Sequence, residues 1–193
     1  MASILSVSLP VSTCLKPGLY LYPPTRHPAL TSDLISPSTS AYAAWVSLPG
    51  SQLYHGLQQA KLKAITEYAI GKHGMHVVIG LHSLPGGVNS LEIGEAFGHD
   101  GWWYNATNFN ASVTVATAAL DFIKASDNPS QYTLEPINEP GDNGLANFGS
   151  IKTVTYPDGV NYLNSYLKTI YALIAKKGMT TTLMVPDAFM GAS

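Results

Sequence analysis

Stretches that read as buried strands alternate with stretches of helical period along much of this chain, and that alternation most limits how it can fold. Residues 75–81 (MHVVIGL) form a continuous apolar run rich in β-branched residues, the pattern of a parallel strand covered on both faces. Further strands are expected at 132–137 and 179–185, and the tail of an earlier one at 42–49 (YAAWVSLP). Between them lie helical patterns at 57–72, with Leu62, Ile65, Ala69 and Ile70 on one face, at 112–125, and at 157–177. The last is the clearest, with Val160, Leu163, Leu167, Ile170 and Ile174 at helical spacing before Lys176-Lys177-Gly178. Repeated βα units of this kind build a parallel sheet flanked by helices.

The strand expected at 132–137 delivers Asn138, Glu139 and Pro140 to its C-terminal end, followed by the loop Gly141-Asp142-Asn143-Gly144. In parallel α/β folds that edge carries the chemistry. A glutamate there can protonate a leaving glycosidic oxygen, while the neighbouring amide grips a sugar hydroxyl without adding charge. Pro140, lacking an N–H, is expected to stop the strand. The same tripeptide also suits a plain turn with a solvated glutamate. Glu135 falls inside the apolar run, so its carboxyl is expected to be supported from within the fold rather than to react.

His82 ends the run at 75–81 and opens the turn Ser83-Leu84-Pro85-Gly86-Gly87, whose glycines match neither the P-loop nor the dinucleotide spacing. His76, inside the run, reads as structural. Residues 90–110 read as a long loop holding Glu92, Glu95, His99, Trp102, Trp103 and Tyr104. Trp102 and Trp103 either stack on pyranose faces or plug the loop onto the sheet. Tyr42 and Trp45 leave the same choice open between sugar contact and core packing. Asn105-Ala106-Thr107 and Asn110-Ala111-Ser112 are N-glycosylation acceptors by sequence.

Net charge of −2, with no basic cluster, argues against nucleic acid or an anionic membrane surface as partner. One cysteine, Cys14, excludes an internal disulfide framework, and the histidines show no metal-ligand spacing, so neither metal nor cofactor is expected. No apolar run reaches the ~18 residues needed to span a bilayer. A G-x-S-x-G elbow and an H-E-x-x-H helix are both absent from the sequence.

Three segments taken together, LHSLPGGVN at 81–89, LEPINEP at 134–140 and PDAF at 186–189, resemble glycoside hydrolase family 5 in order and spacing, with a likeness to its fungal exo-β-1,3-glucanases. The resemblance covers about residues 41–193. It implies a (β/α)8 barrel and a retaining hydrolase of β-glucan or a related oligosaccharide, secreted or in the cell wall. Glu139 then matches the acid/base, and Asn138, His82 and Asn89 match residues that hold the sugar. Pro186 stands where family members often have a histidine. The family's nucleophile belongs to the seventh strand, whereas Asp187 matches no nucleophile position.

A complete barrel of this type takes about 250 residues and rarely under about 200. With 193 residues, the chain is expected to be an incomplete barrel, roughly its second to fifth strands, with the nucleophile beyond residue 193. Residues 1–40, rich in Ser, Thr and Pro, are left unassigned, and residues 41–193 form the barrel domain. Ile4 to Val11 has the apolar character of a secretory signal, but Pro10 interrupts it and no Lys or Arg precedes it. An open barrel would expose sheet edges, favouring self-association. A non-catalytic carbohydrate-binding fragment or a non-functional product is the alternative reading.

Overall fold

The computed structural model describes residues 38–48, 56–89, 101–142, 154–155 and 157–185. The expectations for the N-terminal segment, for Glu92, Glu95 and His99, and for Pro186, Asp187 and Phe189 lie outside the described residues.

Four parallel strands make one sheet in sequence order: β1 (Ser38–Ala41), β2 (Val77–Ser83), β3 (Tyr132–Glu135) and β4 (Thr182–Leu183). Three helices connect them: α1 (Gln58–His73), α2 (Ala106–Lys124) and α3 (Asp158–Lys176). Successive parallel strands joined by helices are the βα units that the alternation in the sequence predicts, and they form an incomplete (β/α)8 barrel, as the family resemblance implies. β1 ends where the sequence suggested a strand tail, and Tyr42–Ala44 form a 3-10 turn instead. The strand thus begins three residues ahead of the expected domain start at 41.

Register divides the sheet into two faces. Val77 pairs with Tyr132 and Ile79 with Leu134, and these four are buried at 2% exposure or less. Phe122 of α2 meets Tyr132 edge-on at 6.3 Å and Trp45 at 5.5 Å, so the helices cover this face. Trp45 is core: it is 3% exposed, and its indole N–H donates to Ser40 Oγ at 2.9 Å. Val78 pairs with Thr133 and Gly80 with Glu135 on the other face, the inside of a barrel. There His76 Nε2 shares a hydrogen bond with Thr133 Oγ1 at 2.9 Å, in keeping with a structural role. β2 is buried on both faces, as its unbroken apolar run requires.

Three element expectations change. α2 begins at Ala106, six residues before the predicted start at 112, because Asn105 caps it by accepting from Asn108 N–H at 3.1 Å. β3 ends at Glu135 rather than 137, since Pro136 already removes the next ladder donor; the stop assigned to Pro140 belongs to Pro136. On α1 the buried stripe runs through Thr66, Ala69 and Ile70, with Leu62 half-buried, whereas Ile65 is 62% exposed. At about 100° per residue Ile65 falls about 40° outside Ala69, off the edge of that stripe. Gly74 closes α1 with φ +64°, its N–H reaching Ile70 O at 2.8 Å.

Candidate functional site

The C-terminal ends of β2 and β3 are adjacent, so the segments that follow them meet at one edge of the sheet. Gly87 N–H closes the turn after β2 on Leu84 O at 3.0 Å, and Gly86 and Gly87 take φ values of +89° and +78°. Gly86 has no room for a side chain: a Cβ there would lie 2.9 Å from the Gly101 carbonyl carbon. That close approach lets Gly101 N–H reach Gly86 O at 2.7 Å and Trp102 N–H reach Gly87 O at 3.1 Å.

The segment after β3 is tied to this turn at two points. Gly141 N–H donates to Val88 O at 3.0 Å, and the Asn89 side-chain amide donates to Glu139 O at 2.6 Å. Asn89, expected to contact the sugar, is 2% exposed and has its amide nitrogen engaged with the chain itself. Glu139 is half-buried and holds φ +45°, a conformation that costs a side-chain-bearing residue about 1–3 kcal/mol. Beside it, Asn138 Nδ2 is buried without a partner, and so is Nδ1 of the half-buried His82 at the end of β2. Both are polar atoms at the sheet edge that the fold itself leaves unmatched.

Glu135, the last residue of β3, is 8% exposed. Burial, and then the charge of Glu139, push its carboxyl up to about 7. Around that pH it is about half protonated and carries less charge than an ordinary carboxylate, which fits support of Glu139 better than a role as nucleophile, since a nucleophile must be ionised.

The two tryptophans, left open between sugar stacking and plugging the loop, are both buried in the fold. Trp102 is fully buried, ringed by Trp103, Tyr162 and Tyr166 at centroid distances of 5.0, 5.1 and 5.3 Å. Its indole N–H donates to Ser112 Oγ at 3.0 Å. Trp103 is 8% exposed, and its N–H donates to Val88 O at 2.8 Å. Both plug the segment before α2 onto the sheet edge, with their N–H groups engaged by Ser112 and Val88.

The neighbouring Tyr104 is the exposed aromatic, at 57%, with φ +56°. Its hydroxyl donates to Asp142 Oδ2 at 2.5 Å, while Thr155 donates its backbone N–H to Oδ1 and its hydroxyl to Oδ2, each at 2.6 Å. Burial works to raise the Asp142 carboxyl, but the hydrogen bonds from Thr155 and Tyr104 outweigh it and hold it below the ordinary value. The sequence reading passed over Asp142 because Gly-Asp-Asn-Gly is ordinary turn chemistry. Its spacing of three residues from Glu139 was the available signal.

Among the described residues no group of three or more His, Cys, Asp or Glu could hold a metal ion, and no helix is long and apolar enough to cross a membrane.

Comparison with protein-family models and with curated proteins returns no match. Solved structures do match. Rutinosidase from Aspergillus niger is 44% identical over 78% of this chain, with a TM-score of 0.72. AoRut is 42% identical over 78% of this chain, with a TM-score of 0.70. The chain spans 42% of the length of each. Rutinosidases are (β/α)8-barrel glycoside hydrolases of family 5, so the likeness supports that family and a glycosidase fold present in part. It does not single out the exo-β-1,3-glucanases.

Proposed function

We propose that this chain forms the acid/base side of a retaining family 5 glycosidase cleft. In this reading Glu139 protonates the leaving oxygen as the glycosidic bond breaks, then takes the proton of the water that releases the sugar from the nucleophile. Asn138 and His82 hold sugar hydroxyls through Nδ2 and Nδ1, the two buried unmatched atoms beside Glu139. Asn89 acts on the sugar only indirectly, by fixing the Glu139 carbonyl. The observation that carries the proposal is the pinned, left-handed Glu139 at the C-terminal sheet edge.

The substrate is a β-linked glucoside. Identity of 44% to a rutinosidase favours a disaccharide unit on an aglycone, as in a rutinoside. The motifs at 81–89, 134–140 and 186–189 are what favour the second reading, exo-action on β-1,3-glucan in polysaccharide breakdown or wall remodelling. Likeness to glycosidases at both sequence and structure level makes a non-catalytic sugar-binding fragment the weaker alternative. Secretion fits the exposed Asn105 and Asn110 acceptors.

The test is hydrolysis of an aryl β-glucoside, an aryl rutinoside and laminarin by a protein that carries this chain together with the nucleophile strand, and by its Glu139→Gln variant. Loss of about 10²–10⁴ in rate in the variant supports the acid/base role, and an unchanged rate refutes it. Preference for the rutinoside or for laminarin decides between the substrates. Binding is read apart from turnover, from the shift of the Asn138 side-chain amide when glucose or rutinose is titrated in.

A further inference from the structure

Among the described residues only Tyr104 and Glu139 combine a side chain with a left-handed backbone. They lie on different segments, yet one carboxylate links them. Asp142 follows Glu139 by three residues and accepts from the Tyr104 hydroxyl at 2.5 Å. Thr155, just before α3, adds two more bonds at 2.6 Å, so each oxygen of the carboxylate accepts at least one. Asp142 therefore joins the approach to α2, the segment after β3 and the approach to α3.

Space around the carboxylate is closed as well. A Cβ on Gly159, in the first turn of α3, would lie 2.5 Å from Asp142 Oδ2 and 2.8 Å from Val154 Cγ1. The helix can approach this closely only because position 159 is glycine. Val88 and Asn89 grip the other side of the same segment, at Gly141 N–H and Glu139 O. A left-handed residue persists only where its surroundings over-determine it. Here both grips fall at Glu139 or just after it, one on its carbonyl and Gly141 N–H and the other on Asp142.

We propose that Asp142 is a positioning residue, whose carboxylate, held by Tyr104 and Thr155, keeps Glu139 in the backbone conformation that aims its side chain into the cleft. The proposal rests on the acid/base reading of Glu139 for its catalytic meaning, but its structural content is independent of turnover. Asp142 touches no substrate in this scheme and acts through the backbone of residues 139–142.

The experiment uses Tyr104→Phe and Asp142→Asn in the full chain, with amide hydrogen exchange and the Asn89 side-chain amide resonance as readouts. Tyr104 is exposed, so its variant keeps the ring and the fold while losing one bond to the carboxylate. Exchange at Gly141 is expected to speed up roughly ten- to hundredfold in either variant, with the Asn89 signal displaced. Amides of Ile79 and Ile170 should be unchanged, whereas a general loss of stability would move them together with Gly141. Unchanged Gly141 exchange and Asn89 shift in both variants would overturn the proposal, as would equal acceleration at all three amides. If Glu139→Gln leaves hydrolysis intact, the catalytic reading fails while the exchange result still decides whether Asp142 holds the segment.

Discussion

Replacing Glu135 by glutamine should flatten the pH dependence of stability, and the size of the effect follows from where the side chain sits. Glu135 is 8% exposed and pairs in register with Gly80, so β2 offers its carboxyl no side chain across the ladder. Burial first, and the charge of Glu139 second, raise its carboxyl from 4.5 to about 7. As pH rises from 4.5 the unfolded chain gives up this proton while the folded chain keeps it until about 7. The unfolded state then binds fewer protons, so stability is full below 4.5, falls through the window and levels off above 7. At 1.36 kcal/mol per unit, the loss amounts to up to about 3 kcal/mol. Asp142 works in the opposite sense and at lower pH, because its carboxyl is held below the ordinary value. Urea titrations followed by tryptophan fluorescence, run from about pH 4.5 to pH 8, measure the difference at constant m. The wild-type chain should lose about 3 kcal/mol more than Glu135→Gln across that range. Parallel curves for the two proteins would refute the claim that Glu135 is protonated in the folded state.

Other substitutions test the supports of the same edge. Tyr166 is fully buried and donates its hydroxyl to Pro136 O at 3.1 Å, so Tyr166→Phe leaves that carbonyl without its donor. A stability loss of about 1–3 kcal/mol by urea midpoint is expected. Gly86→Ala places a Cβ 2.4 Å from Asn108 Nδ2 and 2.9 Å from the Gly101 backbone at φ +89°. It should cost at least about 2 kcal/mol and raise exchange at the Gly101 and Trp102 amides.

The sheet was legible because β2 and α3 carry one signal each. An unbroken apolar run of β-branched residues has no other common use than a doubly covered strand, and the stripe through Leu163, Ile170 and Ile174 matches the buried face of α3. Boundaries were less legible where the deciding residue had two readings. Pro136 and Pro140 both stop ladders, and only the position of Glu135 opposite Gly80 shows which one does. Asn105 was read as a glycosylation acceptor, although the same short amide also caps α2. Ile65 joined the apolar stripe on hydrophobicity alone, but a helix buries by angle and Thr66 takes the inner place.

The candidate site divides along a different line. Glu139, Asn138 and His82 could be singled out because each stands at or just past the end of a strand, on the edge where chemistry collects in parallel α/β folds. The internal partners of Trp102, Trp103 and Asn89 could not be read from the sequence, because a side chain's partner in a long connecting segment depends on contacts far away along the chain. Trp103 answers to Val88 and Asn89 to Glu139, fifteen and fifty residues away. Such polar tips resemble ligand contacts in a sequence, since a donor suited to a sugar hydroxyl is equally suited to a buried carbonyl. The same ambiguity conceals Asp142, whose carboxylate accepts from Tyr104 and Thr155. An edge built this way keeps few polar atoms unmatched, and the two beside Glu139, on Asn138 and His82, are therefore the places where a ligand has most to add.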